Sequence, residues 1–174
     1  SQANGVNQVK GITTRGVRLG NWLTLEQAQT LINTPDKTRL KGLRDRAILA
    51  LMIGAGLRRS EVATLKLDQL QQRAGRWVIP DLIGKGNRTR TVPVPTWAKG
   101  ALDEWITAAN ISDGYLFRPV NKGERLAGAK ISSQTIQDIV KQYAEACDYT
   151  LSAHDLRRTF AHLARTAAAP PSIA

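Results

Sequence analysis

The stretch Ser152-Ala153-His154-Asp155-Leu156-Arg157-Arg158-Thr159-Phe160-Ala161 decides how the C-terminal part of the chain folds. Ser152 and Asp155 have the spacing of an N-cap residue and its capping-box partner, which predicts that a helix begins here. The apolar residues that follow recur at helical spacing and would form the buried side of that helix: Leu156, Phe160 and Leu163.

His154 and Arg157 stand three positions apart in this predicted helix. Residues with that spacing lie on one helix face, so both side chains can point at one place. The pair would combine a proton-transfer group with a side chain that binds phosphate oxygens bidentately. The alternative is a hydrogen-bonded His and a solvated Arg on a surface helix.

The overall charge favours a polyanionic partner. The 174 residues suit one domain with a sizeable core. Lys and Arg number 25 against 14 Asp and Glu, which gives a net charge of +11. Such a balance is typical of proteins that bind nucleic acid or an anionic membrane surface. The longest apolar run, residues 47–55, is too short to span a bilayer, so we expect no membrane partner.

The single cysteine, Cys147, excludes an intrachain disulfide and a Cys-rich metal cluster, and we expect it to be a small packed side chain. The first ten residues are polar and do not resemble a signal peptide. We therefore expect an intracellular protein. A nucleic-acid partner would place it in the cytoplasm, associated with the nucleoid.

Composition divides the chain into an arm, residues 1–20, and one domain, residues 21–174. The arm is polar, contains glycine, lacks apolar periodicity and carries Lys10, Arg15 and Arg18, as a linker does. The domain is predicted to be mainly α-helical with a small antiparallel β-sheet in its middle, an α+β fold.

Local patterns place the elements within that domain. Capping residues and apolar residues at helical spacing predict helices. They begin after Thr24 (with Gln27 as capping partner), near residue 41, after Ser60 as N-cap, at Thr96, at Ser132 or Ser133, and at Ser152. Short β-rich runs predict strands over residues 76–80, 81–85 and 88–94, with Gly84-Lys85-Gly86-Asn87 as a turn.

Three separated segments, in this order, resemble the catalytic domain of the tyrosine recombinases, the phage-integrase family. They are Gly56-Leu57-Arg58-Arg59-Ser60-Glu61, then Gly84-Lys85-Gly86-Asn87-Arg88-Thr89-Arg90-Thr91-Val92-Pro93-Val94, then His154-Asp155-Leu156-Arg157-Arg158-Thr159-Phe160-Ala161. The runs at residues 23–26 and 44–51 are also similar to that family. The resemblance covers residue 23 onward. It implies a site-specific DNA recombinase that cleaves and rejoins strands through a phosphotyrosine intermediate.

The resemblance assigns catalytic roles residue by residue. The family's first catalytic arginine falls on Arg58, because this residue directly follows Gly-Leu, and Arg59 is the rival by one position. The family's hairpin lysine falls on Lys85. Its His-x-x-Arg pair falls on His154 and Arg157.

These residue types suit cleavage of a phosphodiester by a protein hydroxyl without a metal or other cofactor. Two guanidinium groups can neutralise the phosphate and stabilise the pentavalent transition state. Lys85 would protonate the leaving 5′ oxygen, and His154 would exchange a proton with the attacking hydroxyl. Glu61 matches an acidic position that steadies the family's site, and it would pair with Arg58.

The family's nucleophilic Tyr has no counterpart in this sequence. The resemblance implies a second His or Trp and then a Tyr after the His-x-x-Arg pair, but no Tyr follows Arg157. Tyr115, Tyr143 and Tyr149 all precede His154. We therefore predict that this chain does not form the phosphotyrosine link by itself. It would be a truncated or decayed integrase catalytic domain, or one whose missing segment comes from elsewhere.

Basic side chains outside the catalytic set are predicted to contact double-stranded DNA: Arg88, Arg90, Lys141 and Arg158. The polar face of the helix after Ser133 would either enter the major groove or be solvated. Other recombinase protomers on the DNA are a further expected partner.

Two alternatives to a recombinase stay open. One is a non-catalytic DNA-binding remnant or regulator on the same scaffold. The other is a basic RNA- or ribosome-associated protein with chance motif matches. A type IB topoisomerase shares similar chemistry, but Gly-Leu-Arg and His-Asp-Leu-Arg fit integrases better.

Overall fold

The computed structural model describes residues 22–168, so the predicted arm lies outside the described residues. The helices of this part are α1 (Leu25–Ile32), α2 (Leu40–Gly54), α3 (Arg59–Thr64), α4 (Thr96–Ala109), α5 (Ser133–Ala146) and α6 (Ala153–Ala168). The strands β1 (Gln71–Arg73), β2 (Arg76–Ile83) and β3 (Thr89–Pro93) form one antiparallel sheet in the order β1-β2-β3. This confirms the predicted mainly helical α+β fold.

Helix α2 is the centre of the core. Its residues 47–52 are fully buried, as the continuous apolar run predicts, and α1, α4 and α6 all pack against it. Burying one Leu or Ile side chain contributes roughly 1.5–3 kcal/mol, so this helix anchors the elements around it. No helix within residues 22–168 has the length and apolar character needed to cross a membrane.

Two predicted helix caps are confirmed. Thr24 Oγ1 accepts a hydrogen bond from the Gln27 amide at 3.1 Å, and Gln27 Oε1 accepts one from the Thr24 amide at 2.9 Å. At the start of α5, Ser132 Oγ accepts the Thr135 amide at 3.0 Å. Both caps use side chains that lie within three residues of their partners, which is why local sequence predicts them.

The predicted caps of α3 and α4 are wrong. Helix α3 begins at Arg59, and its N-cap is Arg58 with extended backbone angles, not Ser60. The Glu61 carboxylate accepts the Arg58 amide at 2.8 Å and so sets the earlier start. Pro95 caps α4 and Thr96 is its first residue.

The sheet also differs from the prediction. The two runs over residues 76–85 form one strand, β2, whose register with β3 shifts between Ile79 and Leu82. Pro80 has no amide to donate and Asp81 has a φ of 57°, so the ladder is interrupted there without ending the strand. Strand β1 is not predicted by the sequence, because its three residues are all exposed and show no apolar alternation.

The turn between α2 and α3 lies directly against α6. Gly56 in this turn has a φ of 68°, and a Cβ at this position would overlap the Phe160 ring. Glycine is therefore required both for the backbone conformation and for the close approach of α6.

A buried polar network joins α2 to α5. Arg44 and Asp45 are 2% and 0% exposed and form an ion pair at 2.8 Å. The Tyr143 hydroxyl donates to Asp45 Oδ2 at 2.7 Å, and Arg44 Nη1 donates to the Arg118 carbonyl at 3.2 Å. Burial raises the pKa of Asp45 more than the charge of Arg44 and the hydrogen bonds lower it. Cys147, the predicted packed cysteine, lies partly buried against the core.

Candidate functional site

A cavity of about 760 Å³ brings together three of the four predicted catalytic side chains. Arg58 comes from the α2–α3 turn, and His154 and Arg157 come from the first turns of α6. The remaining lining residues are Arg59, Ser60, Ser133, Gln137, Ser152 and Ala153. Segments about a hundred residues apart in the chain therefore meet at one basic cavity.

Lys85, the fourth predicted residue, borders this cavity. It lies in the turn between β2 and β3 and lines a neighbouring cavity of about 320 Å³. Arg58 and Ser60 line both cavities, so the lysine turn adjoins the arginine site. Lys85 is exposed, and Gly86 beside it adopts a φ of 74° that closes the turn.

The start of α6 is held in place by hydrogen bonds. Asp155 Oδ2 accepts the Ser152 amide at 2.9 Å, which confirms the carboxylate half of the predicted capping box. Gln137 Oε1, predicted to lie on a DNA-reading or solvated face, accepts the Ala153 amide at 3.0 Å. These two bonds orient the turn that carries His154.

Arg157 is held by the α2–α3 turn. Its Nη1 donates to the Gly56 carbonyl at 2.6 Å. The guanidinium group has five N–H donors, so the others remain for a ligand in the cavity. Arg157 is half-buried, whereas His154 is exposed at the rim.

Glu61 ties two arginines together. Arg90 Nη1 and Nη2 donate to its two carboxylate oxygens at 2.8 Å and 2.9 Å. The predicted Arg58–Glu61 pair is present, but the Arg58 Nη1 distance to Glu61 Oε2 is 3.4 Å. The sequence predicts that Arg90 contacts DNA. Its position on the same strand face as buried Val92 is the signal that it points inward.

The charges of the site are unevenly balanced. Burial opposes the charged form of Glu61, but bonds and charges from Arg90 and Arg58 outweigh it and lower the pKa of Glu61. The hydrogen bonds to Glu61 raise the pKa of Arg90. Burial, and then the charges of Arg58 and Arg90, lower the pKa of Arg157. Three cations thus crowd around one carboxylate, and a bound anion would relieve their repulsion.

The other predicted DNA contacts lie outside this cavity. Arg88 and Lys141 are exposed, and Arg158 is exposed but forms an ion pair with Asp155 at 3.2 Å. None of the three tyrosines lines the cavity, and the Tyr143 hydroxyl is bound to Asp45. Within residues 22–168, no group of three or more His, Cys, Asp or Glu side chains is arranged to hold a metal ion.

Three residues that line the cavity are not predicted as site residues by the sequence. Local patterns indicate a helix cap at Ser60 and only a possible helix start at Ser133, and they place Gln137 on an outer face. The one available signal is proximity in sequence, since Ser60 lies two residues after Arg58. The approach of α5 to α6 is a long-range contact that no local pattern reports.

An α+β domain with arginines, a histidine and a hairpin lysine around one cavity is the arrangement that the sequence resemblance implies. The family model "Phage integrase family" matches residues 21–174, and the chain belongs to this family. The tyrosine recombinase XerC of Xylella fastidiosa is 37% identical over 146 residues, which are 83% of this chain and 47% of that protein. The tyrosine recombinase XerA of Pyrococcus furiosus is 30% identical over 139 residues, 80% of this chain and 46% of that protein.

Solved structures share the fold. The XerH site-specific recombinase bound to a palindromic difH substrate has a TM-score of 0.65 at 19% identity, covering 84% of this chain and 42% of that chain. The crystal structure of XerA recombinase has a TM-score of 0.63 at 19% identity, covering 86% and 52%. The chain spans about half the length of the curated relatives it matches.

Proposed function

We propose that this chain is the catalytic domain of a site-specific DNA recombinase. The convergence of Arg58, His154 and Arg157 on one cavity, with the Lys85 turn beside it, is the observation that carries this proposal. Membership of the phage-integrase family supports it. The fold shared with XerH, a recombinase solved in a post-cleavage complex with its substrate, is consistent with it.

Arg58 and Arg157 would bind the non-bridging oxygens of the scissile phosphate. Each contributes on the order of 2–4 kcal/mol to the transition state, by analogy with the loss of one oxyanion-hole donor. Lys85 sits on a turn next to the phosphate position and would protonate the leaving 5′ oxygen. His154 would exchange a proton with the attacking hydroxyl from the opposite side. Glu61 and Arg90 would fix the rotamer of Arg58.

The nucleophilic tyrosine is proposed to come from outside this sequence. The Tyr143 hydroxyl is held by Asp45, and burial, together with the Asp45 charge, raises the pKa of Tyr143 well above its usual value. A tyrosine that holds its proton this firmly and faces the core is a poor nucleophile.

Double-stranded DNA is the proposed partner, with other recombinase protomers bound to the same DNA. Arg88, Lys141 and Arg158 are exposed and remain candidates for backbone contacts. Arg90 would act through Glu61, because both of its Nη atoms donate to that carboxylate. A protein that acts on chromosomal DNA would be found in the cytoplasm with the nucleoid.

A nicked suicide substrate tests this function. The chain alone should form no covalent adduct with the DNA. A version extended with the tyrosine-bearing C-terminal segment of a relative should form one. Arg157→Ala in the extended version should abolish the adduct and weaken DNA binding, because the phosphate loses a bidentate ligand.

Arg165→Ala is the matched control for Arg157→Ala. Arg165 lies on the same helix, is exposed and does not line the cavity, so adduct formation should persist. Full activity of the extended Arg157→Ala variant would remove Arg157 from the site. An extended protein that binds DNA but never forms an adduct would favour the second candidate, a non-catalytic DNA-binding remnant. The observation behind that candidate is that Tyr115, Tyr143 and Tyr149 all lie away from the cavity lining.

A further inference from the structure

We propose that a second phosphate-binding surface extends from the candidate site and holds the DNA backbone next to the scissile phosphate. This surface, here the lysine trough, consists of Ser60, Ser133, Lys130, Tyr115 and Lys66. The inference rests on the proposed function, because its occupant is the same DNA whose phosphate the arginine cavity binds.

The lysine trough is continuous with the arginine cavity. A second cavity of about 370 Å³ lies between α3 and the start of α5, with Lys130 at its edge. Ser60 and Ser133 line both this cavity and the one that holds Arg58 and Arg157. A chain that occupies the first cavity can therefore continue into the second without crossing a ridge between them.

Two lysines converge on one aromatic ring at the end of the trough. Lys66 Nζ lies 5.2 Å from the Tyr115 ring centroid, and Lys130 Nζ lies 5.1 Å from it. The ring itself is held by backbone pairing, since the Leu67 amide donates to the Gly114 carbonyl at 2.9 Å and the Leu116 amide to the Leu65 carbonyl at 2.8 Å. Cation–π attraction to a fixed ring restrains both ammonium groups.

The positive charge of the trough is not balanced by neighbouring carboxylates. None of the ion pairs among residues 22–168 includes Lys66 or Lys130, and no Asp or Glu of this range lines the second cavity. Other basic side chains of this part of the chain, such as Arg39, Arg46 and Lys99, do have carboxylate partners. Exposed, restrained and uncompensated ammonium groups suit an external anion.

The chemistry of the trough fits a DNA backbone rather than base edges. Lysine presents a compact point charge with rotating donors, which binds a phosphate without the planar geometry that base recognition uses. The hydroxyl groups of Ser60 and Ser133 line the junction between the two cavities, where they can donate to phosphate oxygens. The trough would thus set the register of the duplex over the arginine cavity.

The salt dependence of DNA binding tests this surface. The double variant Lys66→Ala/Lys130→Ala should bind a nonspecific duplex more weakly than the unmodified chain. The slope of log K against log salt should fall in magnitude by about 1.8, because each phosphate contact contributes about 0.9. Lys122→Ala is the control, since Lys122 is an exposed loop lysine outside both cavities, and it should leave the slope unchanged.

The outcomes separate this inference from the proposed function. If the unmodified chain binds DNA and Arg157→Ala weakens binding, but the double lysine variant keeps the slope of Lys122→Ala, the lysine trough is wrong and the catalytic site stands. If the unmodified chain does not bind duplex DNA at all, the proposed function itself fails. Thermal unfolding midpoints of the variants should match, because all three lysines are exposed.

Discussion

Glu61 is the residue on which the cations of the site depend. Its side chain is only 9% exposed, yet it accepts hydrogen bonds from the guanidinium groups of two different elements. Arg90 binds it bidentately, and Arg58 binds it through both its amide and, more distantly, its guanidinium group. One carboxylate therefore joins the β2–β3 hairpin to the start of α3.

Glu61→Gln should change how stability depends on pH. The folded state lowers the pKa of Glu61, so its ionised form stabilises the fold above its unfolded value of about 4.3. This contribution is lost as the pH falls through the lower, folded value. Urea unfolding at a series of pH values should show a steeper acid loss for the unmodified chain than for Glu61→Gln.

Glu145→Gln provides the comparison for that measurement. Glu145 is exposed on α5 and belongs to none of the ion pairs among residues 22–168, so its removal should leave the acid loss as it is. Parallel pH curves for the unmodified chain and Glu61→Gln would mean that the ionised carboxylate does not stabilise the folded site.

At the scale of elements, α6 and the α2–α3 turn form one unit. The Gly56 carbonyl accepts from Arg157, and the missing Cβ of Gly56 makes room for Phe160. The same turn presents Arg58 two residues later. The distance between the two arginines of the site is therefore set by how closely α6 packs on this turn.

Gly56→Ala should destabilise the protein by more than about 1 kcal/mol. Alanine is strained at a φ of 68°, and its methyl group would overlap the Phe160 ring. Because the turn would shift, DNA binding should weaken as well. Denaturant unfolding and a DNA titration measure the two effects.

Gly100→Ala is the matched glycine substitution. Gly100 lies within α4, is exposed, and has nothing within 4 Å of an added Cβ, so alanine should stabilise the helix by roughly 0.5–1 kcal/mol. Equal effects at Gly56 and Gly100 would contradict the close packing of α6 on the turn.

At the scale of the whole molecule, the network of Arg44, Asp45 and Tyr143 connects the core helix to the element beside the site. It joins α2 to α5, and α5 in turn supplies Gln137 to the first turn of α6. The candidate site therefore stands on a helix that is held by a buried ion pair.

Asp45→Ala should cost about 3–5 kcal/mol in unfolding free energy, because it leaves the Arg44 guanidinium buried without its partner. Tyr143→Phe should cost less, about 1–3 kcal/mol, since it removes one hydrogen bond and leaves the ion pair in place. Chemical denaturation of both variants measures the order. A Tyr143→Phe protein less stable than Asp45→Ala would show that the hydroxyl, not the ion pair, holds α5.

The sequence by itself determined the features that depend on neighbours along the chain. The capping box of Thr24 and Gln27, the buried run of α2, the turn that carries Lys85 and the common face of His154 and Arg157 were all predicted correctly as elements. Helical periodicity and capping act over a few residues, so they are visible without the fold.

Only the tertiary structure decided which side chains meet across the fold. It paired Glu61 with Arg90 rather than chiefly with Arg58, gave Arg157 the Gly56 carbonyl, and moved Gln137 from an outer face to the start of α6. Each of these contacts depends on how closely two elements pack, and packing is a property of the assembled core. Local spacing places a charged side chain on a face, but the opposing element determines its partner.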